Sequence, residues 1–213
     1  DVQTSNGGVE VIDLEGSAFV IATGTKPAVS SKVPVNGRTI LSSDQIMLMA
    51  EIPKTLIVVG GGVIGVEYTC MFAILGVRVI LVEKRPRLLE FADAEIAEAL
   101  SYHLRDSRCT MRLNEEVESV EESPTGGVVA NLQSKKKISG DALLYAVGRS
   151  GNVDELNLGA AGIKADSRGR IAVDANFRTS QPHVFAAGDV IGFPSLASVS
   201  MEQGRIAAAQ AFG

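Results

Sequence analysis

The chain has 213 residues, 46% hydrophobic and 21% charged, with a formal net charge of −5. That length holds one large domain or two small ones around an ample core, and the acidic balance argues against nonspecific nucleic-acid binding, which needs basic patches on phosphates. Two cysteines (Cys70, Cys109) and two histidines (His103, His183) exclude a disulfide framework and a zinc or histidine-rich metal site.

Taken in chain order, residues 9–12 and 19–21 read as strands, with turns at Gly7-Gly8 and Glu15-Gly16. The chain begins inside such strand-like sequence, as a piece of something longer would. Its first residues lack the basic-then-apolar pattern of a secretory signal. A polar connector covers 25–43, and 44–49 is a short helix candidate stopped by Pro53. Residues 55–59 form a continuous apolar strand of the kind buried on both faces of a parallel sheet. The uncharged apolar stretch 56–66 is too short to cross a bilayer and contains four glycines. We therefore expect a cytoplasmic protein without membrane contact.

A helix over 63–75 ends at Gly76, and 77–82 is a second apolar strand. Asp93 can cap a helix through Asp106, whose Ile96, Leu100 and Leu104 fall four apart on one face. After a third strand at 109–113 the period changes to two: 117–121 and 128–132 read as antiparallel strands around Gly126-Gly127, followed by a buried strand at 143–147. This order predicts an α/β fold, a Rossmann-like doubly wound sheet with an antiparallel meander. Beyond Ser150 glycines loosen the pattern; 171–173 and 184–186 are short strands, and 197–212 is a helix.

The segment Gly60-Gly61-Gly62-Val63-Ile64-Gly65 is a G-x-G-x-x-G motif, weak when it stands alone. Here it follows an apolar strand and opens a helix, and Glu83 ends the next strand 23 residues after Gly60. In such a turn Gly60 bends the chain, Gly62 lets backbone approach a diphosphate, and Gly65 brings helix and strand together. Glu83 can accept hydrogen bonds from an adenosine ribose. Its carboxylate favours NAD by repelling a 2′-phosphate, while Lys84, Arg85 and Arg87 tolerate NADP, so both nucleotides stay open. The alternatives are a purely structural turn and a solvated basic loop.

Residues 19–24 (FVIATG) and 184–189 (VFAAGD) flank this motif. In that order the three segments resemble the two-dinucleotide flavoproteins of the glutathione reductase and lipoamide dehydrogenase family, in which an NAD(P) domain is inserted into an FAD domain. The resemblance implies an NAD(P) domain over 53–149 and parts of an FAD domain over 1–52 and 150–213. It implies that Thr23, Gly24, Gly188 and Asp189 serve FAD, with Asp189 on the ribityl chain and Ala197 near the flavin ring at a helix start. It places Glu67 by the nicotinamide, Val117 by the adenine, and Ala146, Val147, Gly148 and Arg149 along the cofactor. Val63, small on the first helical turn, leaves the nicotinamide entrance open.

Within the family, LSYHL (100–104), LNEEVESVE (113–121) and the run 166–198 are similar to the soluble pyridine nucleotide transhydrogenase branch. That implies hydride passing from NADPH to FAD and on to NAD, with no protein acid or base required. A dihydrolipoamide dehydrogenase-type dithiol reductase and a fragment that only binds nucleotide remain open. The FAD diphosphate loop, a redox cysteine pair and the dimer-interface domain of the family would lie outside these residues. The resemblance therefore implies a homo-oligomeric parent and an inactive isolated fragment. Cys70 and Cys109 read as inert, and His183 as packed ahead of a strand.

Overall fold

A computed structural model describes residues 12–213 and the backbone of Val2–Gln3 and Val9–Glu10. The turn expected at Gly7-Gly8 lies outside the described residues. The chain divides into two compact units, one formed by 1–26 with 150–213 and the other by 27–149. The first boundary, expected at 52/53, thus falls at 26/27.

In chain order the first unit begins with β1 (Val2–Gln3), β2 (Val9–Glu10) and β3 (Phe19–Ile21), and β4 (Thr25–Pro27) leads into the second. The second unit holds β5 (Ile40–Ser42), β6 (Thr55–Val59), α1 (Val63–Ile74), β7 (Arg78–Glu83), α2 (Ala94–Asp106) and β8 (Thr110–Leu113). It continues with β9 (Val117–Glu122), β10 (Val128–Leu132), β11 (Lys137–Gly140) and β12 (Ala142–Tyr145). The chain then passes β13 (Arg149–Gly151) and completes the first unit with β14 (Val184–Ala186) and α3 (Ala197–Phe212).

In the 27–149 unit the aliphatic runs of β6 and β7 need cover on both faces, and they have it. Five parallel strands lie in the order β5-β12-β6-β7-β8. The two-residue period sorts their side chains into two layers. Leu56, Val58, Val79, Leu81 and Leu144 join Val66 of α1 and Leu104 of α2. Ile57, Val59, Ile80, Val82 and Leu143 instead meet Val117, Val120, Val128 and Leu132 of the β9-β10-β11 meander. Burying each such side chain stabilises the unit by roughly 1.5–3 kcal/mol.

The boundary moves because β5 belongs to this sheet. Ile40 and Leu41, each 1% exposed, pair with β12 inside what the sequence presents as a polar connector. Strand β11 is likewise an addition to the expected elements. The helix expected over 44–49 is a single 3₁₀ turn, Ile46–Leu48, and 171–173 makes only a bridge from Ile171 to Ala165.

Helix α2 is capped as expected, the Asp93 carboxylate accepting the Glu95 N–H at 2.9 Å. Its buried face is Ala97, Ser101 and Leu104, however, and Ile96 is 65% exposed. The small side chains at 97 and 101 let the helix axis approach the sheet, and Ser101 satisfies its hydroxyl on the Ala97 carbonyl at 2.8 Å.

In the other unit β3 and β14 pair in parallel, Phe19 opposite Val184 and Ile21 opposite Ala186. Ala207 of α3 is fully buried against Phe185. His183 is exposed rather than packed, its ring edge-on to Phe19 at 6.4 Å. Among the described residues no helix is long and apolar enough to cross a membrane.

Candidate functional site

Strand β6 has β7 on one side and β12 on the other. The sheet grows from β6 through β7 to β8 and then resumes on the opposite flank, so β6 and β12 form a switch point. Open α/β sheets take ligands at the carboxyl ends of the strands at such a point. Here those ends run into Gly60 and Ala146.

Three of the four glycines in the β6–α1 turn are required by the chain itself. Gly60 has φ +114°, and a Cβ on it would stand 2.8 Å from the Ala146 carbonyl carbon. A Cβ on Gly61 would lie 2.7 Å from Leu88 Cδ2 and 2.9 Å from Glu83 Oε2. At Gly65 it would overlap the Gly60 carbonyl oxygen and approach the carbonyl carbon to 3.0 Å, because α1 crosses β6 closely. Gly62 is different. Its φ of −80° and ψ of −174° suit any L-residue, and nothing lies within 4 Å of an added Cβ. Among the described residues no side chain caps α1, which leaves its first N–H groups without a side-chain acceptor.

Glu83 ends β7 beside the turn and is 5% exposed. Its Oε2 accepts the Gly61 N–H and Arg85 Nη2 (3.1 Å), while Oε1 accepts the Arg85 N–H and Nε, both at 2.8 Å. Two bonds on each oxygen fill a carboxylate's acceptor directions. Burial pushes the Glu83 carboxyl up, but the hydrogen bonds from Arg85 and Gly61 outweigh it and hold the group below its ordinary 4.5. The same carboxylate raises the pKa of Arg85.

Gly60, Glu83, Lys84, Val117 and Val147 come together on a cavity of about 290 Å³, whose wall also includes Lys32, Glu116 and Tyr145. Gly62, Val63, Ile64, Gly65 and Glu67 lie on the adjoining turn and helix, Val63 and Glu67 being exposed. Ala146 is buried behind Gly60, and Gly148 is exposed. Arg149 lies apart from the lining, bonded to Asp44 at 2.9 Å and the Ser43 hydroxyl at 3.2 Å.

Thr23, Gly24, Gly188, Asp189 and Ala197 belong to the other unit. There the parallel pairing of β3 and β14 brings 23–24 and 188–189 to one edge. Thr25 Oγ1 donates to Asp189 Oδ2 at 3.4 Å, and the Gly188 N–H donates to Gln203 Oε1 at 2.9 Å. Gln203, polar and 9% exposed, thus holds the Gly188 turn. Neither Gln203 nor Lys32, Glu116 and Tyr145 is marked by a local motif; Tyr145 could have been found only as the last residue of a predicted strand.

A family profile, that of the pyridine nucleotide-disulphide oxidoreductases, matches residues 2–204. The chain belongs to this family. Among its members, the soluble pyridine nucleotide transhydrogenase of Pseudomonas aeruginosa (strain LESB58) is 50% identical over 208 residues, which are 98% of this chain and 44% of that protein. The protein of the same name from Mycobacterium tuberculosis (strain H37Ra) is 48% identical over 204 residues, 96% of this chain and 43% of its own length. Among solved structures of similar fold, LpdA from Mycobacterium tuberculosis superposes with a TM-score of 0.89 at 30% identity, covering 98% of this chain and 45% of that one. The HOCl-induced flavoprotein disulfide reductase RclA from Escherichia coli, as its Cu(II) complex, gives 0.86 at 29% identity, with 94% and 46% covered. The chain thus spans less than half the length of these relatives.

Proposed function

We propose that the 27–149 unit is the pyridine-nucleotide domain, and 1–26 with 150–213 part of the FAD domain, of a cytoplasmic, homo-oligomeric transhydrogenase that moves hydride between NADPH and NAD. The observation that carries this reading is Gly62, a glycine with no purpose inside the chain, placed at an uncapped helix tip where backbone N–H groups suit a diphosphate. Glu83 and Val117 on the neighbouring cavity fit an adenosine ribose and its base. The relatives named as transhydrogenases, alike over nearly the whole chain, support the same choice.

In this reading the N–H groups of α1 hold the diphosphate. Glu83, expected from the sequence to accept from the ribose, has both oxygens taken by Gly61 and Arg85 and shapes that end of the cavity instead. Exposed Val63 and Glu67 border the nicotinamide end without closing it. Thr23, Gly24, Gly188 and Asp189 fit a second nucleotide, since the φ of +79° at Gly188 and the Gln203 anchor shape a turn with open backbone. FAD, bound there in the full-length protein, supplies the hydride relay. The chain's own residues bind, orient and exclude water, and none is assigned proton transfer.

NADPH-driven reduction of an NAD analogue by the full-length protein tests the reading. Turnover that needs both nucleotides supports it, and turnover only with a disulfide substrate contradicts it. A dithiol reductase is the second reading, favoured by the likeness to RclA. This chain does not supply its thiolates: burial pushes Cys109 up to about 11 and raises Cys70 as well.

A further inference from the structure

Lys32 and Lys84 line the cavity and Arg85 stands behind Glu83, and each of these cations is matched by a carboxylate of the chain. Arg85 is held by Glu83 through three bonds, and it also reaches Glu90 at 3.3 Å. Lys84 Nζ lies 2.8 Å and Lys32 Nζ 3.5 Å from the carboxylate of Glu116, between β8 and β9. Glu115, also on the cavity wall, turns its carboxylate to the Ser134 N–H at 3.1 Å. The two matched sets differ in how easily they open. Glu83 is 5% exposed and grips Arg85 with both oxygens, whereas the side chains of Lys84 and Lys32 are 73% and 57% exposed. Exposed ion pairs contribute little and exchange readily, while a buried, fully bonded carboxylate resists rearrangement.

We propose that Glu116 determines the preference between NAD and NADP by masking Lys32 and Lys84, the two cations at the cavity mouth that can turn to a 2′-phosphate without disturbing Glu83. The inference rests on the pyridine-nucleotide reading and deepens it. The Glu83–Arg85 pair stays closed whichever ribose is bound, and the lysine pair, released from Glu116, takes the phosphorylated one. A site built this way accepts both nucleotides, with the carboxylate at 116 setting the ratio. Lys32 reaches the mouth from the segment before β5, far in sequence from the glycine turn.

The test is calorimetric titration of the 213-residue chain and its variants with NADH and NADPH at low and moderate ionic strength. Glu116→Gln tightens NADPH by about twofold to fivefold, the size of one exposed charge pair, and leaves NADH affinity unaltered. Lys32→Gln with Lys84→Gln weakens NADPH by about tenfold, again sparing NADH, and flattens the salt dependence of NADPH binding. Circular dichroism establishes that each variant is folded, and the lysine variant reports on the idea should Glu116→Gln not fold. If NADH binds and the NADPH:NADH ratio is unchanged in the variants that fold, the role of Glu116 is overturned while the nucleotide reading stands. If neither nucleotide binds the unsubstituted, folded chain, the nucleotide reading fails and this inference with it.

Discussion

Gly62→Ala separates what the fold requires from what a ligand requires. With φ −80°, ψ −174° and nothing within 4 Å of the new methyl, the folded chain accepts alanine without strain. Restricting the unfolded chain contributes about 0.4–1 kcal/mol of stability, and losing glycine from an N-cap offsets most of it, for a net change within about 0.5 kcal/mol. In a chain of this size that is about 1–2 °C in melting temperature. A bound diphosphate meets the same methyl where an oxygen should reach an N–H group. Each lost hydrogen bond to a charged group costs about 1.5–3 kcal/mol, or roughly 10- to 150-fold in Kd. Circular dichroism melts and calorimetric NADH titration measure both quantities on one preparation. Gly65→Ala is the contrast: the Cβ overlaps the Gly60 carbonyl, α1 must lift from β6, and melting temperature and affinity fall together. A stable Gly62→Ala chain with unaltered NADH affinity would refute the reasoning.

Glu83, held below its ordinary 4.5, contributes stability that is present above that value and lost as pH falls through the folded-state pKa beneath it. Melting temperature should therefore hold between neutral pH and about 5.5 and drop below about 4.5, and Glu83→Gln should flatten part of that acid limb; an identical limb in the variant contradicts the assignment. Leu104→Ala on the buried face of α2 should cost about 2–5 kcal/mol in denaturant unfolding, against about 0.5 or less for Ile96→Ala on the exposed face. Cys109, its thiol pushed up to about 11 and its side chain buried, should react with an aromatic disulfide reagent only as fast as the chain opens, and immediate reaction at neutral pH would contradict its burial.

The parallel sheet was legible because its inner strands are continuous aliphatic runs bounded by turn residues, and a run such as 55–59 fits few other environments. The Asp93 cap of α2 and the glycines at 60, 61 and 65 of the β6–α1 turn were legible for the same reason: local geometry restricts which residues stand there. Strand β5 was not, because Ile40 and Leu41 are two buried residues amid polar ones, and only the partner strand β12 reveals them. On α2 the expected stripe Ile96, Leu100 and Leu104 and the buried face Ala97, Ser101 and Leu104 share Leu104, and helical spacing fits both. Packing at the small residues Ala97 and Ser101 decides between them, which periodicity does not see. In the candidate site Glu83 was apparent from its distance to Gly60, but its saturation by Arg85 was not. Lys32 and Glu116, 84 residues apart, meet only in the folded sheet.

A crystal structure of the chain grown with NADH tests the central claim most directly. The diphosphate should lie against the N–H groups that follow Gly62, with the adenosine ribose toward Glu83 in the cavity shared with Val117. A nucleotide bound in another place, or with its diphosphate away from this turn, would contradict the claim.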